Sequence, residues 1–166
     1  IRQPGYMPNL GFFKKIQSSD IFVFLDDVQF SKDSFDNRNQ IKTNFGPEWI
    51  TVPLNRPVFE KKINEVSISY KTNWIKEHCN KIFENYKSTP YFSSYWYEIE
   101  KILNYKHKLL TQLNFELIKY FIKTLDIHTK TIKSSELSIT KIKTERLIEI
   151  CLKLNAKCYI SGIGGK

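Results

Sequence analysis

Apolar residues recur along this chain in distinct rhythms. Residues 21–25, Ile-Phe-Val-Phe-Leu, form an unbroken apolar run of strand length. Such a run suits a strand covered on both faces, as in a parallel sheet. Just before it, Leu10, Phe13 and Ile16 fall at helical spacing. The opening stretch, IRQPGYMP, holds two prolines and a glycine in eight residues and cannot be helical. With Ile1 read as the end of a strand, the first 25 residues predict a closed βαβ crossover.

Further on the rhythm shortens, then lengthens. Residues 40–43 and 48–54 predict two extended segments around the turn Asn44-Phe45-Gly46-Pro47. Residues 63–70 alternate through Ile63, Val66, Ile68 and Tyr70 with one slip, and predict a strand. Residues 73–86 carry Trp74, Ile75, Ile82, Phe83 and Tyr86 on one broad helical face. Ser88-Thr89-Pro90 breaks that helix. Residues 95–125 continue in helical pattern with a break near Asn104. There Leu109, Leu113, Leu117, Phe121 and Leu125 repeat every four residues, flanked by Leu110, Ile118 and Ile122, and mark a core face.

The last third reads strand, helix, strand. Residues 128–133 are extended, residues 143–154 form an amphipathic helix with Asn155 as its C-cap, and residues 158–160 form a short buried strand. The predicted fold is therefore α/β. It has a largely parallel, Rossmann-like sheet flanked by helices, a β-hairpin insertion and a helical segment. Residues 1–166 read as one domain, with residues 73–125 inserted between the sheet halves.

Composition narrows the function classes. The formal net charge of +9 suggests an anionic partner. Lysines number 22 against only 4 arginines, however, and they spread over the whole chain. Nucleic-acid readers favour the planar arginine fork, so no nucleic acid is expected. A phosphorylated small molecule or nucleotide-sugar fits better. The longest purely apolar run is far too short to span a bilayer, and no stretch has the pattern of a secretory leader. Three cysteines without metal-ligand spacing complete the expectation of a cytoplasmic protein. Nothing in the composition fixes the oligomeric state.

In an open parallel sheet, ligands bind beyond the carboxyl ends of the strands. Three segments would lie there. Arg2, Gln3 and Tyr6 follow the first strand. Asp26 and Asp27 follow residues 21–25, and one of them facing a ligand is the candidate catalytic acid or base, or a Mg²⁺ ligand. Adjacent residues of an extended chain point oppositely, so only one is expected to face a given ligand. The alternative is an aspartate that caps the next turn. Gln29, Asn37, Arg38 and Lys42 belong to the polar stretch that follows, and Arg38, rare in a lysine-biased chain, suits a phosphate or carboxylate. Its alternative is a structural pair with Asp27, Asp33 or Asp36. The third segment, Ser161, Gly162, Gly164, Gly165 and Lys166, resembles a phosphate-cradling loop without matching the P-loop spacing. No zinc spacing, Gly-x-Ser-x-Gly elbow or placeable Ser-His-Asp set exists, and His78, His107 and His128 read as structural or solvated.

Four blocks, QPGYMPNLGFFKKI, DIFVFLDDVQFSKDSFDNRNQIKT, WITVPL and CYISGIGGK, stand in an order and spacing that resembles the WbqC-like family over nearly the whole chain. The family's opening block usually reads His-Gln-Pro, a variable residue, then Tyr-Leu-Pro-Trp. Here Arg2 stands for the histidine and Asn9 for the tryptophan. An arginine cannot act as a neutral imidazole, but it neutralises phosphate charge. The resemblance also implies a core trimmed at both ends. As to function, it implies a bacterial protein of surface-polysaccharide or O-antigen biosynthesis, with a transferase role that places an acyl or aminoacyl group on a sugar amine. Two alternatives stand beside it. One is a nucleotidylyltransferase-like enzyme, since the block order is similar to that class, in which a histidine turn follows the first strand. The other is a non-catalytic binding protein of the polysaccharide machinery.

Overall fold

A computed structural model of the chain describes residues 1–32 and 34–161. The predicted crossover is present. Helix α1 (Leu10–Gln17) begins at Asn9, whose side chain accepts a hydrogen bond from the Phe12 N–H, and it leads into strand β1 (Ile21–Phe24). On one edge of β1, Arg2 forms a parallel bridge with Phe24; its N–H donates to the Val23 carbonyl and its carbonyl accepts from Leu25 N–H. On the other edge lies β4 (Lys130–Lys133), parallel and in register from Ile21↔Lys130 to Phe24↔Lys133. Strand β1 is thus central, which explains why Phe22, Val23 and Phe24 are all buried. The fold is α/β, with a smaller sheet than the sequence predicts.

The hairpin insertion pairs β2 (Arg38–Thr43) with β3 (Gly46–Thr51), antiparallel from Arg38↔Thr51 to Thr43↔Gly46. Gly46 takes φ +112°, a conformation in which a side chain would be strained. Helices α2 (Trp74–Tyr86), α3 (Phe92–Asn104) and α4 (Leu110–Thr124) follow, with the chain break near Asn104 where the pattern places it.

Helix α4 serves two cores because its apolar stripe is wider than one contact face. Leu110, Leu113 and Leu117 pack with Tyr6, Ile50, Val52, Ile63, Trp74 and Trp96. Phe115 and Ile118, on its other flank, pack with Phe13, Ile16, Phe22, Phe24 and Ile127 under the parallel sheet. Leu125, expected in the stripe, lies past the helix end and is largely exposed.

Helix α5 (Lys143–Lys153) ends as its sequence predicts. Asn155 takes φ +50°, its N–H donates to the Leu152 carbonyl, and Ala156 N–H donates to the Cys151 carbonyl. This is a Schellman closure with asparagine in the left-handed position.

Two expected strands are corrected. Residues 63–70 keep their apolar positions buried, with Ile63, Val66 and Ile68 inside, but the backbone does not form one strand. Residues Ile63–Glu65 make a 3₁₀ turn, held by the Glu65 side chain on Lys62 N–H, and only single bridges follow, Ser67 to Leu109 and Leu54 to Ile68. Residues 158–160 form no strand and are exposed. A cavity of about 400 Å³ lies between them and Ile21, Phe22 and Val23, so no ladder bonds reach β1. No helix among the described residues is long and apolar enough to cross a membrane.

Candidate functional site

Beyond the carboxyl end of β1 lies a cleft of about 440 Å³, the place where parallel sheets present ligands. Its walls come from the opening loop, from residues 34–36 and 39, and from Tyr159. The two loops are joined by their backbones. Tyr6 N–H donates to the Phe35 carbonyl at 3.0 Å, and a Cβ on Gly5 would lie 2.9 Å from the same oxygen. That close approach requires glycine.

Two asparagines complete the joint. Fully buried Asn114, on α4, donates through Nδ2 to the carbonyls of Pro4 and Asp36, each at 2.8 Å. Asn39, on β2, donates to the carbonyls of Tyr6 and Met7 and accepts from Gln40 N–H. Both wall loops are therefore fixed to a helix and a strand, the support that a preformed site needs.

The groups at the walls differ in charge. Arg2 is exposed at the cleft. Lys15 lies near enough that burial and the Arg2 charge together hold its ammonium below the ordinary lysine value. Lys15 Nζ sits 6.0 Å from the centre of the Tyr159 ring. Asp36, also among the lining residues, is 2% exposed. Burial pushes its carboxyl above the ordinary value, and the hydrogen bonds from Ser34 and the Ser31 backbone only partly offset this.

Gln3 borders the cleft. Tyr6 does so from the inside, since its side chain is fully buried and its hydroxyl bonds His78 Nδ1 at 3.0 Å. Burial, with the nearby Lys81 charge, lowers the His78 pKa to about 4, against a backbone hydrogen bond at Thr51 that favours the charged form. His78 is therefore a neutral ring that links Tyr6 to the hairpin.

Asp26 and Asp27 are not among the residues that line this cleft, and they do not diverge. The chain bends after Phe24, and both carboxylates converge on the 3₁₀ turn Ser134–Glu136 at the end of β4. Asp26 accepts from Ser135 N–H at 3.0 Å and from the Ser135 hydroxyl at 2.7 Å. Asp27 accepts from the Ser134 hydroxyl and from the Arg146 guanidinium of α5. Burial acts to raise the Asp27 pKa, but Ser134 and Arg146 outweigh it and hold the carboxyl below its ordinary value. Among the described residues, no group of three or more His, Cys, Asp or Glu is placed to hold a metal ion.

The remaining expected residues lie elsewhere. Arg38 stacks on Trp49, 4.4 Å from the ring centre, and with Asn37, Lys32 and Arg56 it borders a separate cleft of about 380 Å³. The Asn37 side chain donates to the Val52 carbonyl. Gln29 is exposed in a bridge to Lys62, and Lys42 is exposed, with its backbone N–H on the Tyr86 hydroxyl. Ser161 is exposed, and Gly162, Gly164, Gly165 and Lys166 lie outside the described residues.

Sequence reasoning passed over Asp36, Asn114 and Arg146 as site or support residues. Arg146 carried a usable signal. It is one of four arginines in the chain, the same rarity that singled out Arg38.

Comparison with known proteins agrees with this architecture of motifs. The WbqC-like protein family matches residues 3–166. The uncharacterized protein Rv1507c of Mycobacterium tuberculosis (strain ATCC 25618 / H37Rv) is 35% identical over 164 residues, covering 98% of this chain and 71% of that protein. No solved structure matches the chain. With the family matched from Gln3 to the last residue, and a relative aligned over nearly the same span, the chain belongs to the WbqC-like protein family.

Proposed function

We propose that the chain transfers an acyl or aminoacyl group to the amine of a nucleotide-linked or otherwise phosphorylated amino sugar, in the synthesis of a bacterial surface polysaccharide. The observation that carries this reading is that one cleft is lined by both the cationic Arg2 and the buried, acidic Asp36. A sugar amine is a cation at neutral pH, and a phosphate is an anion. The cleft offers each of them an opposite charge.

In this reading Arg2, supported by Lys15, holds phosphate, and Asp36 receives the sugar ammonium. The carboxylate takes one proton from it. The freed nitrogen then forms a bond to the donor's acyl carbon. The bond from that carbon to its leaving group breaks, and the leaving group departs with the electron pair and the second amine proton. Burial pushes the Asp36 carboxyl above its ordinary value, the direction that favours taking up a proton from the amine. Asn114 and Asn39 keep the two walls at fixed separation while this happens.

Calorimetric titration with UDP-glucosamine tests the reading. Binding is expected, with affinity falling about tenfold in Arg2→Ala, the effect of losing one charge-assisted contact. In a mass-spectrometric assay of acylated product, Asp36→Asn should lower turnover roughly 10²- to 10⁴-fold. Absence of affinity for UDP-glucosamine and for inorganic phosphate would overturn it.

A further inference from the structure

A second, larger cavity adjoins the polar cleft. It measures about 750 Å³, within the size range of small-molecule sites. Met7, Ile41, Ile82, Trp96, Ile99 and Phe121 form its apolar surface. Pro8, Asn9 and Asn39 border both cavities, so the apolar pocket and the Arg2–Asp36 cleft share one wall.

Several polar groups at this pocket are engaged within the protein, and Gln40, Tyr91 and Tyr95, which also line it, are exposed residues. Asn9 caps α1 through its side-chain oxygen. Asn39 is bonded through both ends of its amide. The Tyr86 hydroxyl accepts from Lys42 N–H, Thr89 donates to the Tyr86 carbonyl, and Thr124 donates to the Tyr120 and Phe121 carbonyls. A nucleobase, sugar or peptide backbone laid against the surface of Met7, Ile41, Ile82, Ile99 and Phe121 would lose hydrogen bonds to water with few returned. An alkyl chain loses none, and gains from every methylene it buries.

We infer that this pocket holds the alkyl chain of an amphipathic substrate whose polar end lies in the adjoining cleft. The assignment of the polar end rests on the function proposed above, whereas the assignment of the chain rests on the pocket alone. Two sources supply this chemistry: a fatty-acyl donor and a lipid-phosphate-linked sugar. Each presents a chain attached to a charged head, and the shared border at Pro8, Asn9 and Asn39 places the two cavities side by side, as a chain and its head require.

Calorimetric titration of the intact chain with octanoate, decanoate and dodecanoate, each below its micellar concentration, reads the pocket directly. Affinity should rise roughly threefold per added methylene, the value for partial transfer of a methylene out of water. Thr124→Trp fills the mouth from an exposed helix position and should weaken dodecanoate at least tenfold while leaving UDP-glucosamine binding unchanged. Gln40→Trp, from strand β2 rather than helix α4, provides the same test should the first variant fold poorly. Dodecanoate affinity should persist in Asp36→Asn.

Competition by S-dodecanoyl pantetheine and by dodecyl phosphate separates the two sources, and the tighter competitor identifies which one the pocket serves. Affinity that does not depend on chain length would overturn the inference. So would sedimentation showing self-association of the chain that Thr124→Trp abolishes, because the pocket would then be a face for a second copy. Loss of UDP-glucosamine binding with the chain-length series intact would sink the reading of the polar cleft and leave this one standing.

Discussion

Asp26 and Asp27 on the one hand, and Asp36 on the other, follow the same strand and are held in opposite ways. The first two point inward, where hydroxyls, a backbone N–H and the Arg146 guanidinium meet them. Asp36 is as thoroughly buried but has neutral partners, from Ser31 and Ser34, and it borders a cleft. Their pKa values respond accordingly, with Asp27 pushed down and Asp36 pushed up. A carboxylate whose charge is matched within the protein fastens elements together. One left short of positive partners keeps its affinity for a cation and its readiness to exchange a proton. That contrast is the reason the proposed function assigns its proton transfer to Asp36 rather than to the aspartate pair.

The largest expected effect is on the matched side. In Arg146→Met the Asp27 carboxylate stays buried with only Ser134 to meet it, and α5 loses its tie to the sheet. Breaking a buried pair of this kind costs about 3 kcal/mol, readable as a lowered urea midpoint. Adding Asp27→Leu should recover most of that loss, since the orphaned charge goes with it. A loss that persists in the double variant would mean that Arg146 acts through packing, and the comparison between the carboxylates would lose its charge argument.

Much of the fold was legible in the chain, because periodicity reports how each element is covered. The apolar run at residues 21–25 gave a central parallel strand, the four-residue repeat gave the core face of α4, and Asn155 gave the end of α5. Residues 158–160 were misread because an apolar triplet carries no information on whether a neighbouring strand is within ladder distance. The site was legible as regions and not as contacts. Arg2 and Gln3 do border the cleft, but the convergence of Asp26 and Asp27 on Ser134 joins residues 107 and 108 positions apart. No local spacing encodes such a pair. The expectation that neighbouring carboxylates diverge holds only while the strand lasts, and β1 ends at Phe24.

A buried histidine sharpens the contrast, because His78 is shifted by burial and by the like charge of Lys81 rather than by an opposite charge. Its pKa falls from 6.5 to about 4 in the folded protein. The unfolded chain therefore binds a proton as pH drops below 6.5 while the folded chain does not. The stability it supports is complete above that value and is lost as pH falls toward 4. The loss amounts to about 3 kcal/mol, of the order expected for such a shift in a group 4% exposed. Denaturation midpoints measured from pH 7 to 4 should show it, and His78→Gln should flatten the profile. An unchanged profile would mean that the acid sensitivity lies in other groups.

Asp36 contributes with the opposite sign and a smaller size. Its folded pKa is raised, so the folded state keeps a proton that the unfolded state has released. Stability from this group is complete at low pH and is lost as pH rises through the folded value. Asp36→Asn removes the cost of burying the charge and should raise neutral-pH stability by about 1 kcal/mol, while turnover falls. A melting temperature higher by roughly 2–4 °C would be the readout. Were the variant less stable at neutral pH, Asp36 would belong with Asp26 and Asp27 as a structural carboxylate.

The smallest effect isolates what burial contributes. Glu116 and Lys119 on α4 form the same kind of carboxylate–cation pair as Asp27 and Arg146, at 3.1 Å, but with half or more of each side chain in solvent. Water screens the attraction, and holding two long side chains in one geometry has an entropic cost. Glu116→Gln should therefore change stability by less than about 0.5 kcal/mol, and by less still in high salt. Arg146→Met should keep most of its effect under the same salt, because Asp27 and Arg146 are largely shielded, at 16% and 10% side-chain exposure. Equal salt sensitivity of the two variants would show that solvent reaches the inner pair. The distinction between a fastened carboxylate and a chemically available one would then have to rest on the hydroxyls of Ser134 and Ser135 rather than on Arg146.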